Sequence, residues 1–285
     1  MGILGIDIGG TNMRVGYIED NRLVRSESVQ LSNVDSEQET LDQLTSLIDI
    51  FSDRKTGGIG VGVPSVVDTE KGIVYDVQNI PSWKEVHLKE ILENKYGVPV
   101  YVNNDANCFA AGEKYFGKAV GYRDVVGLIV GTGLGAGVIT NGTLYTGSNC
   151  GAGEFGMISY RDSILEHYCC GQFFQNKYSV SGSVISERAG AGEAEALRIF
   201  DEFGAHLGEA IKIILYSLDP EMIVLGGSVS KSFRYFSASM RKSLGTFAYT
   251  KSLDRLKIEV SETENIAILG AAALYFDAAK QNSCV

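Results

Sequence analysis

Three short segments hold the side chains that could do chemistry. Asp7-Ile8-Gly9-Gly10-Thr11 sets a carboxylate at the end of an apolar run, directly before a glycine turn. Glycines let backbone N–H groups approach an anion closely, and the Thr11 hydroxyl adds a donor. A carboxylate beside a phosphate needs a cation between them, so Asp7 is expected to hold Mg²⁺ through water. Taken alone, the segment also reads as a plain hairpin turn with a local bond from the aspartate. Gly131-Thr132-Gly133 repeats the theme after a second apolar run. The pair predicts two phosphate-cradling hairpins facing each other across a cleft. In the third segment, Asn103-Asn104-Asp105-Ala106-Asn107, a strand pattern passes into a helix pattern. Asp105 can there accept the proton of a substrate hydroxyl as its oxygen attacks phosphorus, with Asn104 orienting that hydroxyl. Asn and Asp are equally at home as helix N-caps, and Asp105 is placed at or near that position.

Neither glycine turn is a P-loop, because no G-x-x-x-x-G-K-[ST] occurs. The run from Gly131 to Gly137 leads into strand-like Val138-Ile139-Thr140 and not into a helix, which disfavours a Rossmann dinucleotide site.

The elements that must carry these segments follow from periodicity. Apolar and alternating stretches around the first turn predict three strands joined by turns, LGIDI, MRVGYIE and RLVRSESV. Ser36 and Glu39 have capping-box spacing, and Leu41, Leu44, Leu47, Ile48 and Phe51 share one helical face. GGIGVGV is a buried strand closed by Pro64, a helix is expected near 86–95, and PVYVNN is a further buried strand. From Val125 the opening pattern recurs as strand, glycine turn and strand, which predicts an internal duplication. The longest helix is predicted over 193–218, its face formed by Leu197, Phe200, Phe203, Leu207, Ile211, Ile214 and Leu218, with Pro220 as the stop. EMIVLGGSVS is a strand entering a Gly226-Gly227-Ser228 turn, and an alanine-rich helix closes the chain.

The net charge is −10, and the sequence has no dense Lys/Arg stripe, so nucleic acid and anionic membrane are poor partners. Residues 125–140 are too short and too glycine-broken for a membrane span, which needs roughly 20 apolar residues. Met1 is not followed by a signal-peptide pattern. Five irregularly spaced cysteines (Cys108, Cys150, Cys169, Cys170, Cys284) fit reduced thiols of a cytoplasmic protein better than a disulfide framework.

Over nearly its full length the chain resembles the ROK sugar kinases, within the actin-like ATPase superfamily. DIGGTNMRVG looks like the first phosphate motif, GVGVPSVVD the strand before the sugar loop, and VNNDAN the catalytic-base motif. GTGLGAGV is similar to the second phosphate motif, GAGEFG to the sugar-binding turn, and VLGGS, with Gly226 and Gly227, to the adenosine side. The resemblance implies an α/β, two-domain actin-like ATPase (ribonuclease H-like) fold with an interdomain cleft. Residues 1–107 with the C-terminal helix 270–285 would carry the first phosphate motif and the catalytic aspartate. Residues 108–269 would carry the second phosphate motif and the adenosine side. It implies ATP and Mg²⁺ bound by Asp7, Gly9, Gly10, Thr11, Gly131, Thr132 and Gly133, and a hexose or hexose derivative held by Asn79, Asn104 and Glu154 with Asp105 as base. The hydroxyl attacked is expected to be O6, and the assembly a homodimer. The rival reading is a catalytically impaired sugar sensor or regulator without a DNA-binding domain, since relatives that repress transcription carry an extra N-terminal helix-turn-helix region.

The family pattern breaks in two places. Its histidine after the sugar turn is Met157 here, and its glutamate on the C1–C2 edge of the sugar falls on Lys177. The resemblance also implies a structural zinc held by one His and three Cys, at positions that are here Met157, Tyr168, Cys170 and Gln175. Only one ligand survives, and tetrahedral closure needs four. No zinc is therefore expected; His167, Cys169 and Cys170 should be ordinary side chains of a helix or packed loop, held by aromatic packing of Phe173, Phe174 and Tyr178.

Overall fold

A computed structural model describes residues 1–283; Cys284 and the last residue of the predicted C-terminal helix lie outside them. In chain order the elements are β1 (Gly2–Ile8), β2 (Asn12–Glu19), β3 (Arg22–Gln30), α1 (Glu37–Asp49), β4 (Thr56–Val63), β5 (Val66–Asp68), β6 (Ile73–Tyr75), β7 (Glu85–Val86), α2 (Leu88–Tyr96), β8 (Val100–Asn104) and α3 (Asp105–Phe116). They continue with β9 (Val125–Val130), β10 (Leu134–Thr140), β11 (Thr143–Tyr145), β12 (Ser159–Tyr160), β13 (Ser163–Ile164), α4 (Leu165–Cys169), α5 (Gly171–Tyr178), α6 (Gly182–Gly190) and α7 (Ala194–Leu218). The last are β14 (Met222–Gly226), α8 (Phe233–Leu244), α9 (Thr250–Arg255), β15 (Lys257–Val260) and α10 (Ile266–Ser283).

The duplication expected from the recurring pattern is present in the topology. One five-stranded sheet has the order β3-β2-β1-β4-β8 and the other the order β11-β10-β9-β14-β15. In the first, β1 and β2 form an antiparallel hairpin, and β1 runs parallel to β4 and β4 to β8. In the second, β14 lies parallel to both β9 and β15. By compactness the chain forms two units. Unit 1 comprises Met1–Gly121, Gly137–Ala152 and Thr263–Val285, and unit 2 comprises Tyr122–Ala136 and Gly153–Glu262.

In unit 1 every residue of β1 is buried, as a strand covered on both faces requires, so its sequence shows no alternation. The covering helix α10 comes close to the sheet because glycines meet it. A Cβ on Gly60 would overlap the Ala271 carbonyl and lie 3.3 Å from Ala272 Cα. Helix α1 buries Leu41, Leu44, Leu47 and Ile48, with Phe51 just beyond it, and the Ser36 hydroxyl caps it through Glu39 N–H at 3.3 Å.

In unit 2, α7 packs on α8 with the rings of Phe200 and Phe203 against Phe236, and Gly204 and Gly208 let the α8 backbone at Phe236 and Met240 come close. Two residues assigned to that face are exposed, Leu197 at 36% and Leu218 at 39%. Leu197 lies about 60° off the stripe through Phe200 at 3.6 residues per turn, and Ala196 takes its place. Leu218 is the last helical residue, before Asp219 turns left-handed (φ 42°) ahead of Pro220. Among the described residues no helix is long and apolar enough to cross a membrane.

Candidate active site

In unit 1 the chemistry collects at the carboxyl ends of parallel strands. Asp7 stands opposite Gly62 of β4, and Gly62 stands opposite Asn103 of β8. Asp7 and Asn103 are thus two strand spacings apart, roughly 10 Å. This edge is where open parallel sheets bind ligands. The first glycine turn closes through Gly9 N–H to Asn12 O at 2.9 Å, and the Thr11 hydroxyl accepts from Asn12 Nδ2 at 3.1 Å. Asn79 comes to this turn by its side chain: a Cβ on Gly10 would lie 3.0 Å from Asn79 Nδ2.

The sequence reading missed Arg14. Its Nε and Nη2 both donate to Asp7 Oδ2, at 2.9 and 2.6 Å. Burial pushes the Asp7 carboxyl above its ordinary range, and the Arg14 guanidinium pulls it part of the way back. The signal was present in the hairpin, because a turn at residues 9–11 sets residue 14 directly across from residue 7. Both contacts fall on one oxygen, so Oδ1 remains for a hydrated cation. A single carboxylate oxygen suits Mg²⁺, which keeps several waters and is completed by phosphate oxygens. Arg14→Ala should cost about 1 kcal/mol of stability, since solvent reaching the partly exposed guanidinium screens the pair. Urea unfolding of both proteins checks this.

At the β8–α3 junction Asn104 is the N-cap, its Oδ1 accepting from Asn107 N–H at 2.8 Å. Asp105 is the first helical residue, exposed, with Oδ1 accepting from Ala106 N–H at 2.9 Å. A buried knot holds the junction from below. Asn103 Oδ1 accepts from Asn107 Nδ2 at 2.9 Å and from the Cys150 thiol at 3.3 Å. Beneath both carboxylates lies Cys108, whose thiol is pushed well up by burial and then by Asp105 and Asp7.

Unit 2 assembles the second set. The turn after β9 closes through Gly131 N–H to Gly133 O at 3.0 Å. The α4–α5 corner holds it: Gly171 N–H donates to Gly131 O at 2.7 Å, the Cys170 thiol to Thr132 O at 3.0 Å, and Leu134 N–H to Glu166 Oε2 at 2.9 Å. Gly226 ends β14 opposite Ile129, and Gly227 follows it with φ 86°. Thr132, Gln175, Ser183, Ser186, Val229 and Lys231 help line a cavity of about 650 Å³, the size of a small-molecule site. Glu154 precedes a short 3₁₀ turn, Phe155–Met157, and its carboxyl is raised by burial and then by the neighbouring charge of Glu166. Of the expected sugar ligands, Asn79, Asn104 and Asp105 belong to unit 1 and Glu154 to unit 2.

The four positions aligned with zinc ligands have other surroundings. Met157 and Gln175 are exposed, Tyr168 meets the rings of Tyr160 and His206 edgewise or tilted, and the Cys170 thiol is taken by Thr132. His167 Nδ1 pairs with Ser163 Oγ at 2.6 Å. The segment forms two helices, with Phe173 and Phe174 fully buried against Phe203 and Tyr178 edge-on to Phe173. Lys177 binds Glu202 and lies over the Tyr178 ring. Cys108, Cys150, Cys169 and Cys170 are buried, reduced thiols.

Comparison with known proteins places these features in context. The model of the ROK family matches residues 3–278. A glucokinase of Thermotoga maritima is 25% identical, over 95% of this chain and 96% of that protein. An N-acetyl-D-glucosamine kinase of Yersinia enterocolitica is 29% identical, over 84% and 88%. The crystal structure of a ROK family glucokinase from Streptomyces griseus, in complex with glucose and AMPPNP, superposes with a TM-score of 0.78 at 25% identity, covering 96% of this chain and 99% of that one.

Proposed function

The chain belongs to the ROK family, and on that premise we propose that it transfers the γ-phosphate of ATP to O6 of a hexose or hexose derivative. The observation that carries this reading is the doubled sheet. Both copies deliver a glycine turn from their first hairpin, and the first copy also delivers Asp105 at the carboxyl end of a parallel strand. The named activities of the relatives support a sugar acceptor, and the AMPPNP of the Streptomyces griseus protein supports ATP as donor.

Asp105 takes the proton of the sugar hydroxyl. Asn104 spends its Oδ1 on the helix cap and so offers its amide Nδ2 to the sugar. Asn79 and Glu154 hold the remaining hydroxyls. Gly9, Gly10, Thr11, Gly131, Thr132 and Gly133 cradle the phosphates, and Gly226 and Gly227 border the adenosine. Asp7 would hold Mg²⁺ through water, and the ion would supply charge neutralisation for the transferred phosphate. The transition state of phosphoryl transfer is loose, so alignment and charge neutralisation supply most of the rate. We place the enzyme in the cytoplasm as a homodimer with no nucleic-acid or membrane partner.

Met157 and Lys177 bear on the sugar. Met157 offers no hydrogen-bonding oxygen or nitrogen on its side chain, and the Lys177 ammonium is engaged by Glu202. A buried sugar hydroxyl left unpaired costs about 1–3 kcal/mol. An N-acetylhexosamine or an epimer of glucose should therefore exceed glucose in kcat/KM by about tenfold or more. Steady-state kinetics over a sugar panel test this, with NMR of the product to identify the phosphorylated oxygen. Tight, preferred glucose turnover would contradict the specificity argument, and a product phosphorylated elsewhere than O6 would contradict the regiochemistry.

A further inference from the structure

We infer that Glu166 is the positioning residue of the second phosphate turn, fixing the backbone so that the Thr132 and Gly133 N–H groups face the nucleotide phosphates. The inference rests on the kinase reading and adds a residue that neither glycine motif contains. Glu166 comes from α4, outside the turn. Its Oε2 accepts from Leu134 N–H at 2.9 Å and its Oε1 from Gln172 Nε2 at 3.1 Å, so each carboxylate oxygen has a donor. The fit to the turn is close: a Cβ on Gly133 would lie 2.7 Å from Glu166 Oε2.

The direction of the remaining donors follows from peptide geometry. In a planar trans peptide the carbonyl of one residue and the N–H of the next point in opposite senses. The Gly131 carbonyl is held by Gly171 N–H and the Thr132 carbonyl by the Cys170 thiol. The N–H groups of Thr132 and Gly133 are thereby turned away from the α4–α5 corner. Glu166 takes the third N–H of the turn, that of Leu134, and fixes where β10 begins. With both oxygens engaged, its charge is partly neutralised by donors, so an anion can occupy the other side. The Glu166 carboxylate neighbours Glu154, and the residue's Cβ, which an alanine keeps, lies 3.5 Å from where a Cβ on Gly156 would stand, so the residue also borders the turn that holds Glu154.

The test is AMPPNP binding by calorimetry in the presence of Mg²⁺, for wild type, Glu166→Ala and Glu166→Gln, with melting curves and steady-state kinetics beside it. Glu166→Ala should bind AMPPNP about tenfold more weakly and raise KM for ATP equally, with KM for sugar changed less than about twofold. The glutamine amide oxygen can still accept from Leu134 N–H, so Glu166→Gln should stay within about twofold of wild type. If wild type binds AMPPNP and folded Glu166→Ala binds it as tightly, the inference is wrong and the kinase reading stands. It is equally wrong if folded Glu166→Gln is as impaired as the alanine variant, because the charge and not the acceptor would then matter. If wild type binds no AMPPNP, the kinase reading itself fails.

Discussion

Asp105→Asn should lower sugar-dependent ATP turnover by about 10²–10⁴-fold, the range for loss of a general base. The side chain is exposed at the first position of α3, and the bond its Oδ1 accepts from Ala106 N–H can be accepted equally by an asparagine oxygen. The helix should therefore form as before. It gives up the interaction of a first-turn carboxylate with the helix dipole, about 0.3–1 kcal/mol. AMPPNP affinity should be nearly unchanged, because Asp7, Arg14 and both glycine turns are untouched. ADP-release kinetics and nucleotide titration on the same preparation separate these effects. A variant retaining more than about a tenth of wild-type turnover would remove Asp105 from the base role.

Gly227→Ala should damage the nucleotide side most severely. Gly227 has φ 86°, where an L side chain is strained, at a cost of about 1–3 kcal/mol. The added methyl would also lie 2.9 Å from Gly131 N and overlap the Val130 carbonyl. Both are backbone atoms at the turn after β9, so no rotamer change relieves the clash and the turn itself must shift. AMPPNP affinity should fall by about tenfold or more, the effect of misplacing one strong hydrogen bond. Gly192→Ala is the control: φ there is 80°, but nothing lies within 4 Å of the new methyl. It should lose stability through backbone strain alone and bind nucleotide normally. Equal nucleotide affinity in the two variants would contradict the placement of Gly227 against the turn.

Much of the framework was legible because local rules determined it. The Ser36 cap, the apolar face of α1, the stop of α7 at Pro220 and both glycine turns depend on residues close together in sequence. The duplication was visible for the same reason, as a recurring order of strand, turn and strand. Features that depend on contacts across the chain were not legible. Arg14 needed the hairpin register before it could be placed on Asp7. Glu166 meets Leu134 32 residues away, and nothing in its neighbourhood in sequence announces that contact. The cap of α3 passed to Asn104 because Asp and Asn are almost interchangeable there, and only backbone geometry chooses. The segment holding Leu165–Cys169 and Gly171–Tyr178 was legible only as a helix or a packed loop, because elements of 5 and 8 residues are too short for apolar periodicity to decide between the two.

The central claim is that this chain moves phosphate from ATP to a sugar. Its most direct test is ADP formation by the wild-type protein with Mg²⁺ and ATP, with and without each member of a hexose and N-acetylhexosamine panel. The account predicts that at least one sugar raises ADP release far above the sugar-free rate, with one sugar phosphate formed per ADP. Saturable sugar binding with no stimulation of ADP release by any sugar would contradict it and leave a sensor in place of an enzyme.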